Sequence, residues 1–121
     1  MLPLCAWNNR GWVTTVTTGR ISLSSYDAST RYSWLVPADA SRSMRLQFAS
    51  FSTRRFTDSV RVFEVENGHI GAPIAVLHGS LLPKDIVLRP GVSALITFSV
   101  DQMAARRMSL AEGTGFELFV L

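Results

Sequence analysis

Apolar and polar residues alternate with a period of two along most of the chain. Met44, Leu46 and Phe48 are interleaved with Arg45 and Gln47, and Val60 and Val62 with Ser59 and Arg61. A longer run puts Val92, Ala94, Ile96, Phe98 and Val100 on one parity, and Phe116, Leu118 and Val120 close the chain in the same way. Successive side chains of an extended strand point to opposite faces, so each run predicts a strand with one core-facing and one outward side. The valine, phenylalanine, serine and threonine of these stretches suit a pleated surface.

Turn chemistry separates the runs at Asn8-Asn9-Arg10-Gly11, Pro37-Ala38-Asp39-Ala40-Ser41, Glu66-Asn67-Gly68-His69, Leu82-Pro83-Lys84-Asp85 and Arg89-Pro90-Gly91. The first reads as a hairpin tip between Trp7 and Trp12-Val13. Residues 1–18 are therefore expected to form an N-terminal hairpin or first strand, and residues 19–121 the main body. Short strands at this spacing predict an all-β fold of two antiparallel sheets packed as a β-sandwich, or a barrel. One segment departs from the period. Residues 102–112 are rich in helix formers, with Met103, Arg106, Arg107 and Leu110 at offsets of three and four, and Gly113-Thr114-Gly115 follows. This predicts a short helical insert before the last strand. No linker or repeat divides the chain, so a single domain is expected.

Composition supports a folded domain: 121 residues, 47% of them apolar, can bury one core. No apolar run approaches the ~20 residues that a membrane-spanning helix needs. The opening Met1-Leu2-Pro3-Leu4-Cys5 lacks the basic and long apolar regions of a signal peptide, so the expectation is either a natural start inside a cell compartment or a processed or partial chain. The net charge of +3 is carried almost wholly by arginine, Lys84 being the one lysine. That is too weak and too scattered for a nucleic-acid footprint. Arginine's planar fork suits fixed contacts with carboxylates, which favours ordered protein partners. Cys5 is the one cysteine, so no intrachain disulfide can form. With His69 and His78 the only histidines and no Gly-x-Ser-x-Gly elbow around Ser22, Ser24 or Ser25, no catalytic constellation assembles, and no enzyme is expected.

From Gly19 onward an ordered series of motifs resembles the CUB domain family. Tyr32-Ser33-Trp34-Leu35-Val36 is similar to its Tyr…Cys-x-Trp-x-Ile strand, and Phe48-Ala49-Ser50-Phe51 to its Phe-x-x-Phe. Asp58-Ser59-Val60-Arg61-Val62 resembles Asp-x-Val-x-Val, and Leu77-His78-Gly79-Ser80 with Pro83 resembles a Leu-Cys-Gly-Ser…Pro turn. Phe98-Ser99-Val100-Asp101 and Gly115-Phe116 complete the order. The resemblance implies a jelly-roll-like sandwich used for recognition, as in secreted and cell-surface proteins. The departures matter as much. The family's cysteine positions hold Ser33, Arg55 and His78, and the first falls near Arg10. The ~2–4 kcal/mol that each bridge typically supplies must come from packing or a partner. Missing bridges point to a reducing interior or to burial in an assembly.

The resemblance also implies a calcium site built from two aspartates and a glutamate. Asp58 and Asp101 stand at the aspartate positions, but the glutamate position falls on Arg54, and Met103 replaces a further oxygen donor. Calcium takes six to eight oxygens, so no metal or other cofactor is expected. A guanidinium from Arg54, Arg106 or Arg107 between the two carboxylates is the preferred substitute, against simple solvated arginines and a turn-capping Asp58. The pairs Arg54-Arg55 and Arg106-Arg107 fall on loops that the family gathers at one end of the sandwich, where they suit an acidic partner. Trp34 is expected in the core, and Trp7 and Trp12 are candidates for docking against a neighbour. The leading expectation is a non-catalytic protein-interaction or structural module, a small subunit of a stable assembly. The alternative is a carbohydrate- or membrane-surface-binding sandwich, with calcium assisting.

Overall fold

The structure, a computed structural model, describes residues 2–3, 13–24, 31–53, 58–100 and 115–121. Its strands in chain order are β1 (Leu2–Pro3), β2 (Val13–Thr15), β3 (Arg20–Ser24), β4 (Arg31–Val36), β5 (Met44–Ser52), β6 (Asp58–Glu66), β7 (His69–Leu77), β8 (Ile86–Leu88), β9 (Ser93–Val100) and β10 (Gly115–Val120). They form a six-stranded sheet, β1-β7-β6-β9-β4-β2, and a four-stranded sheet, β3-β10-β5-β8. The two pack face to face as a sandwich, not a barrel. The described residues include no helix, and the segment 102–112 lies outside them.

One pairing differs from the expected antiparallel pattern. β2 runs parallel to β4, with Val13 opposite Ser33 and Thr15 opposite Leu35, and Val16 N–H continues the ladder to the Leu35 carbonyl at 2.8 Å. The chain leaves the larger sheet after β2, lays β3 into the smaller one and returns as β4. Two reversals leave β2 and β4 pointing the same way, which side-chain alternation does not encode. The Asn8–Gly11 turn lies outside the described residues; β1 and β2 stand at opposite edges of the larger sheet.

Where the alternation was clearest, the core follows it. Leu46, Val60, Val62, Ala94, Ile96, Phe98 and Leu118 are completely buried between the sheets. Phe116 is the hub of an aromatic cluster: its ring lies 5.6 Å from Trp34, edge on, and 6.1, 6.3 and 6.4 Å from Phe48, Phe51 and Phe98. Such edge and tilted contacts add to what burial alone contributes. Trp34 packs on this core, half-buried, with Tyr32 beside it at 5.7 Å.

Two local features alter the period. Against β10, Glu117 pairs with Ser50 but Leu118 pairs with Phe48, so β5 carries a bulge at Ala49. The extra residue shifts the phase, and Phe48 and Phe51, three apart, both face the core. In β9 the intervening Leu95 and Thr97 are buried as well as the core parity. Leu95 joins Val65 and Ile70, with Val13, Leu35 and Phe63 packed against them, in a second cluster on the outer face of the larger sheet. The outward side of the β9 run is thus apolar in part, because β9 sits at the sheet's centre with neighbours on both sides.

Candidate binding surface

Asp58 stands at one end of the sandwich, where several strands begin and end. Asp58 opens β6 directly opposite Val100, so Asp101 follows at the adjacent chain position. Gly115 stands opposite both Ser24 and Ser52, and Arg31 opposite Ser99. The connections 25–30, 54–57 and 101–114 therefore begin and end at this one end. Asp58 is buried, with 1% of its surface exposed. Asp101, Arg54, Arg55, Arg106, Arg107, Trp7 and Trp12 lie outside the described residues. The register sets Asp58 opposite Val100, and the expected arginine between Asp58 and Asp101 lies outside the described residues.

Calcium finds little among the described residues. None of them form a group of three or more His, Cys, Asp or Glu. Asp58 is the only described carboxylate at this end, against the six to eight oxygens that calcium takes. The nearby Thr53 hydroxyl is already engaged. It accepts from Gly79 N–H at 2.9 Å, while Thr53 N–H donates to the Gly79 carbonyl at 2.9 Å. This reciprocal clasp joins the end of β5 to the root of the 78–85 loop, and Thr53 itself is buried.

The clasp positions a surface that the sequence reading passed over. Exposed large apolar side chains are concentrated in one stretch: Ile74 and Val76 on β7, Leu81 and Leu82 on the loop, and Val87 on β8. Leu81 is 87% exposed and the others 42–59%. Among the described residues only Tyr32 and Leu121 are comparable elsewhere. Register explains the placement. Val60 and Val62, in the core, pair with Leu77 and Ala75, so Ile74 and Val76 take the outer side beside Arg61. On β8, Leu88 is buried, which turns Val87 outward beside Arg45. Apolar exposure thus wraps the edge formed by β7, which the two-residue β1 flanks only at His69 and Ile70, and by β8. The signal available in the sequence was Leu81-Leu82, two adjacent bulky residues inside a turn segment.

The opposite end is closed by turns. Asn67 and Gly68 both have positive φ, 53° and 75°, the geometry of a two-residue hairpin, and the His69 ring bonds the Asn67 carbonyl through Nδ1 at 2.9 Å. Ser41 donates to the Asp39 carboxylate from its backbone N–H at 2.9 Å and its hydroxyl at 2.8 Å. These bonds, with Arg42 nearby, hold the Asp39 carboxyl below the usual carboxylate range. A hollow at this end is lined by Ser41, Arg42, Ser43, Arg45 and Leu121. The described residues that line it offer hydroxyl and guanidinium side chains.

No protein-family model matches the sequence, and no curated protein does. The fold has solved counterparts. The crystal structure of the MASP-1 CUB2 domain bound to Ca2+ aligns with a TM-score of 0.62 at 19% identity, over 91% of this chain and 96% of that one. The CUB1-EGF-CUB2 domain of human MASP-1/3 gives 0.60 at 18% identity, over 90% of this chain and 41% of that one. The CUB1-EGF-CUB2 domains of rat MASP-1 give 0.60 at 16% identity, over 91% and 39%. The chain spans less than half the length of these two longer neighbours. At such identities the likeness is one of architecture: the sandwich has the fold of a CUB domain.

Proposed function

We propose that this protein is a divergent CUB-type sandwich acting as a non-catalytic protein-interaction module, a small subunit held in a stable assembly with other proteins. The observation that carries this reading is the apolar exposure wrapped around the β7–β8 edge. Leucine pairs held in water by a hydrogen-bonded loop stabilise nothing in the isolated chain, and exposed patches of this kind mark interaction sites. In this reading the arginine pairs Arg54-Arg55 and Arg106-Arg107 contribute to the same partner contact; Thr53, which anchors the exposed loop, immediately precedes Arg54. Trp7 and Trp12 supply further docking contacts. Nucleic acid is not among the partners, since the basic residues carry no aromatic-interleaved stripe. Calcium-assisted binding to sugars or membranes has less support, as only Asp58 among the described residues offers a carboxylate at the site.

The test compares three proteins in affinity capture from the source, followed by native mass analysis. These are the unaltered chain, the Leu81→Asp/Leu82→Asp variant and a variant with all four paired arginines changed to alanine. A partner recovered at fixed stoichiometry with the unaltered chain and depleted with the variants is the expected result. A free monomer that binds glycans or vesicles equally well in all three forms would overturn the reading.

A further inference from the structure

We infer that the exposed edge of β7 accepts an extended, acidic segment of a partner protein as an added strand. This rests on the interaction-module reading and names the partner's chemistry. Among the described residues, β1 pairs with β7 only at His69 and Ile70, so Gly71–Leu77 has no neighbour on its outer side. An edge strand offers unpaired backbone donors and acceptors to an incoming chain. Proteins usually blunt such edges with charge. β7 carries no charged side chain between Gly71 and Leu77, and its one obstacle is Pro73, at the irregular pairing with Phe63. Beyond the irregularity at Pro73 and Ile74, Ala75, Val76 and Leu77 pair in regular register with Val62, Arg61 and Val60.

Charge selects the occupant. Arg61, exposed beside Val76, bonds only the Ser59 hydroxyl, at 3.1 Å, and has no carboxylate partner among the described residues. Lys84, on the clasped loop, has none either. Asp85 is matched by Arg45 at 3.9 Å, and Glu64, Glu66 and Glu117 by arginines elsewhere. Among the described residues the edge therefore keeps two cations without a carboxylate partner, Arg61 beside Val76 and Lys84 on the loop. A second copy of the chain would bring the same two cations and be repelled. A strand with alternating apolar and acidic residues meets both demands: its apolar parity covers Ile74, Val76 and the Leu81-Leu82 loop, and its carboxylates face Arg61 and Lys84.

The experiment pans a displayed library of random twelve-residue peptides against the folded protein, with counter-selection on Val76→Glu, which sets a carboxylate beside Arg61. That variant puts charge on the exposed side of β7 and leaves the core intact, which a thermal melt verifies. Enriched peptides are expected to alternate Val, Ile or Phe with Asp or Glu, and to bind the variant at least tenfold more weakly. They should also slow hydrogen exchange at amides of residues 74–77. Enrichment of basic peptides, peptides that bind Val76→Glu equally, or no enrichment overturns the inference, as does self-association through this edge. If the Leu81→Asp/Leu82→Asp variant still loses its captured partner while the library fails, the module reading stands and strand addition falls. If both fail, both fall.

Discussion

The two lateral edges of the sandwich are built alike and finished differently. At one, β2 and β3 present Thr14, Thr15, Arg20, Ser22 and Ser24 to solvent, and Arg20 pairs with Glu117 of the neighbouring β10, its Nε lying 3.0 Å from the carboxylate. At the other, β7, the 78–85 loop and β8 present Ile74, Val76, Leu81, Leu82 and Val87. Burial inside is continuous from one edge to the other, so the difference does not come from the core. The polar edge is protected against stray pairing in the usual way, by charge and short strands. Leaving the other apolar costs solubility with no return in the monomer, which is the ground for proposing it as the interacting side.

The strongest test of the contrast lies in two glycines with positive φ. Gly115, at the start of β10 against β3, has φ 89°, and a Cβ there would fall inside the Leu23 carbonyl. Gly115→Ala should destabilise by more than about 3 kcal/mol or prevent folding, because backbone strain adds to an unrelieved clash. Gly79, on the apolar edge, has φ 91° but open space around it, so Gly79→Ala should cost only about 1–2 kcal/mol. Chemical denaturation measures both, and equal losses would mean the clash is relieved. Leu81→Asp/Leu82→Asp should then separate stability from binding. Unfolding free energy should change by about 0.5 kcal/mol or less, while partner affinity falls about 100-fold, as for truncated interface anchors. A large loss of stability would make the leucines structural.

Smaller effects sharpen the picture. Thr53→Ala leaves the Gly79 N–H without its hydroxyl acceptor and should cost about 1–2 kcal/mol, with faster hydrogen exchange at Gly79. On the polar edge, a double-mutant cycle on Arg20 and Glu117 should return at most about 1 kcal/mol, shrinking in high salt, since both side chains are partly exposed. The least effect belongs to Asp39. Its carboxyl is held below the usual range by Ser41, so its contribution is present above the unfolded-state pKa and lost as pH falls through the lower folded-state value. Proton resonances of the Ser41 amide should follow that titration; an unshifted midpoint would mean the turn does not hold in solution.

Much of the architecture was legible in the residues, because alternation and turn chemistry are local. Met44–Phe48, Val60–Val62 and Phe116–Leu118 turn the parity expected of them into the core, and Asn67-Gly68 makes its turn. The motif series pointed to the right sandwich. The features that escaped were set by neighbours in space. The Ala49 bulge exists because β10 pairs across it, Leu95 is buried because β9 is central, and β2 runs parallel because of the excursion through β3. For the site, the sequence named Asp58 and Asp101 as residual calcium candidates; Asp58 is buried at the start of β6, and Asp101 lies outside the described residues. The sequence passed over the exposed leucines for a physical reason. An apolar residue next to a turn reads as core until the register shows that its side faces away from the other sheet.

The Thr53–Gly79 clasp has one more consequence. It closes a circuit across a separation of 26 residues around the β6–β7 hairpin, in a chain whose single cysteine leaves no internal cross-link. Backbone and hydroxyl bonds have no reduction potential. The loop that presents Leu81 and Leu82 is therefore held by a closure that neither thiol reductants nor oxidants address, and the geometry of the edge is the same in either redox environment.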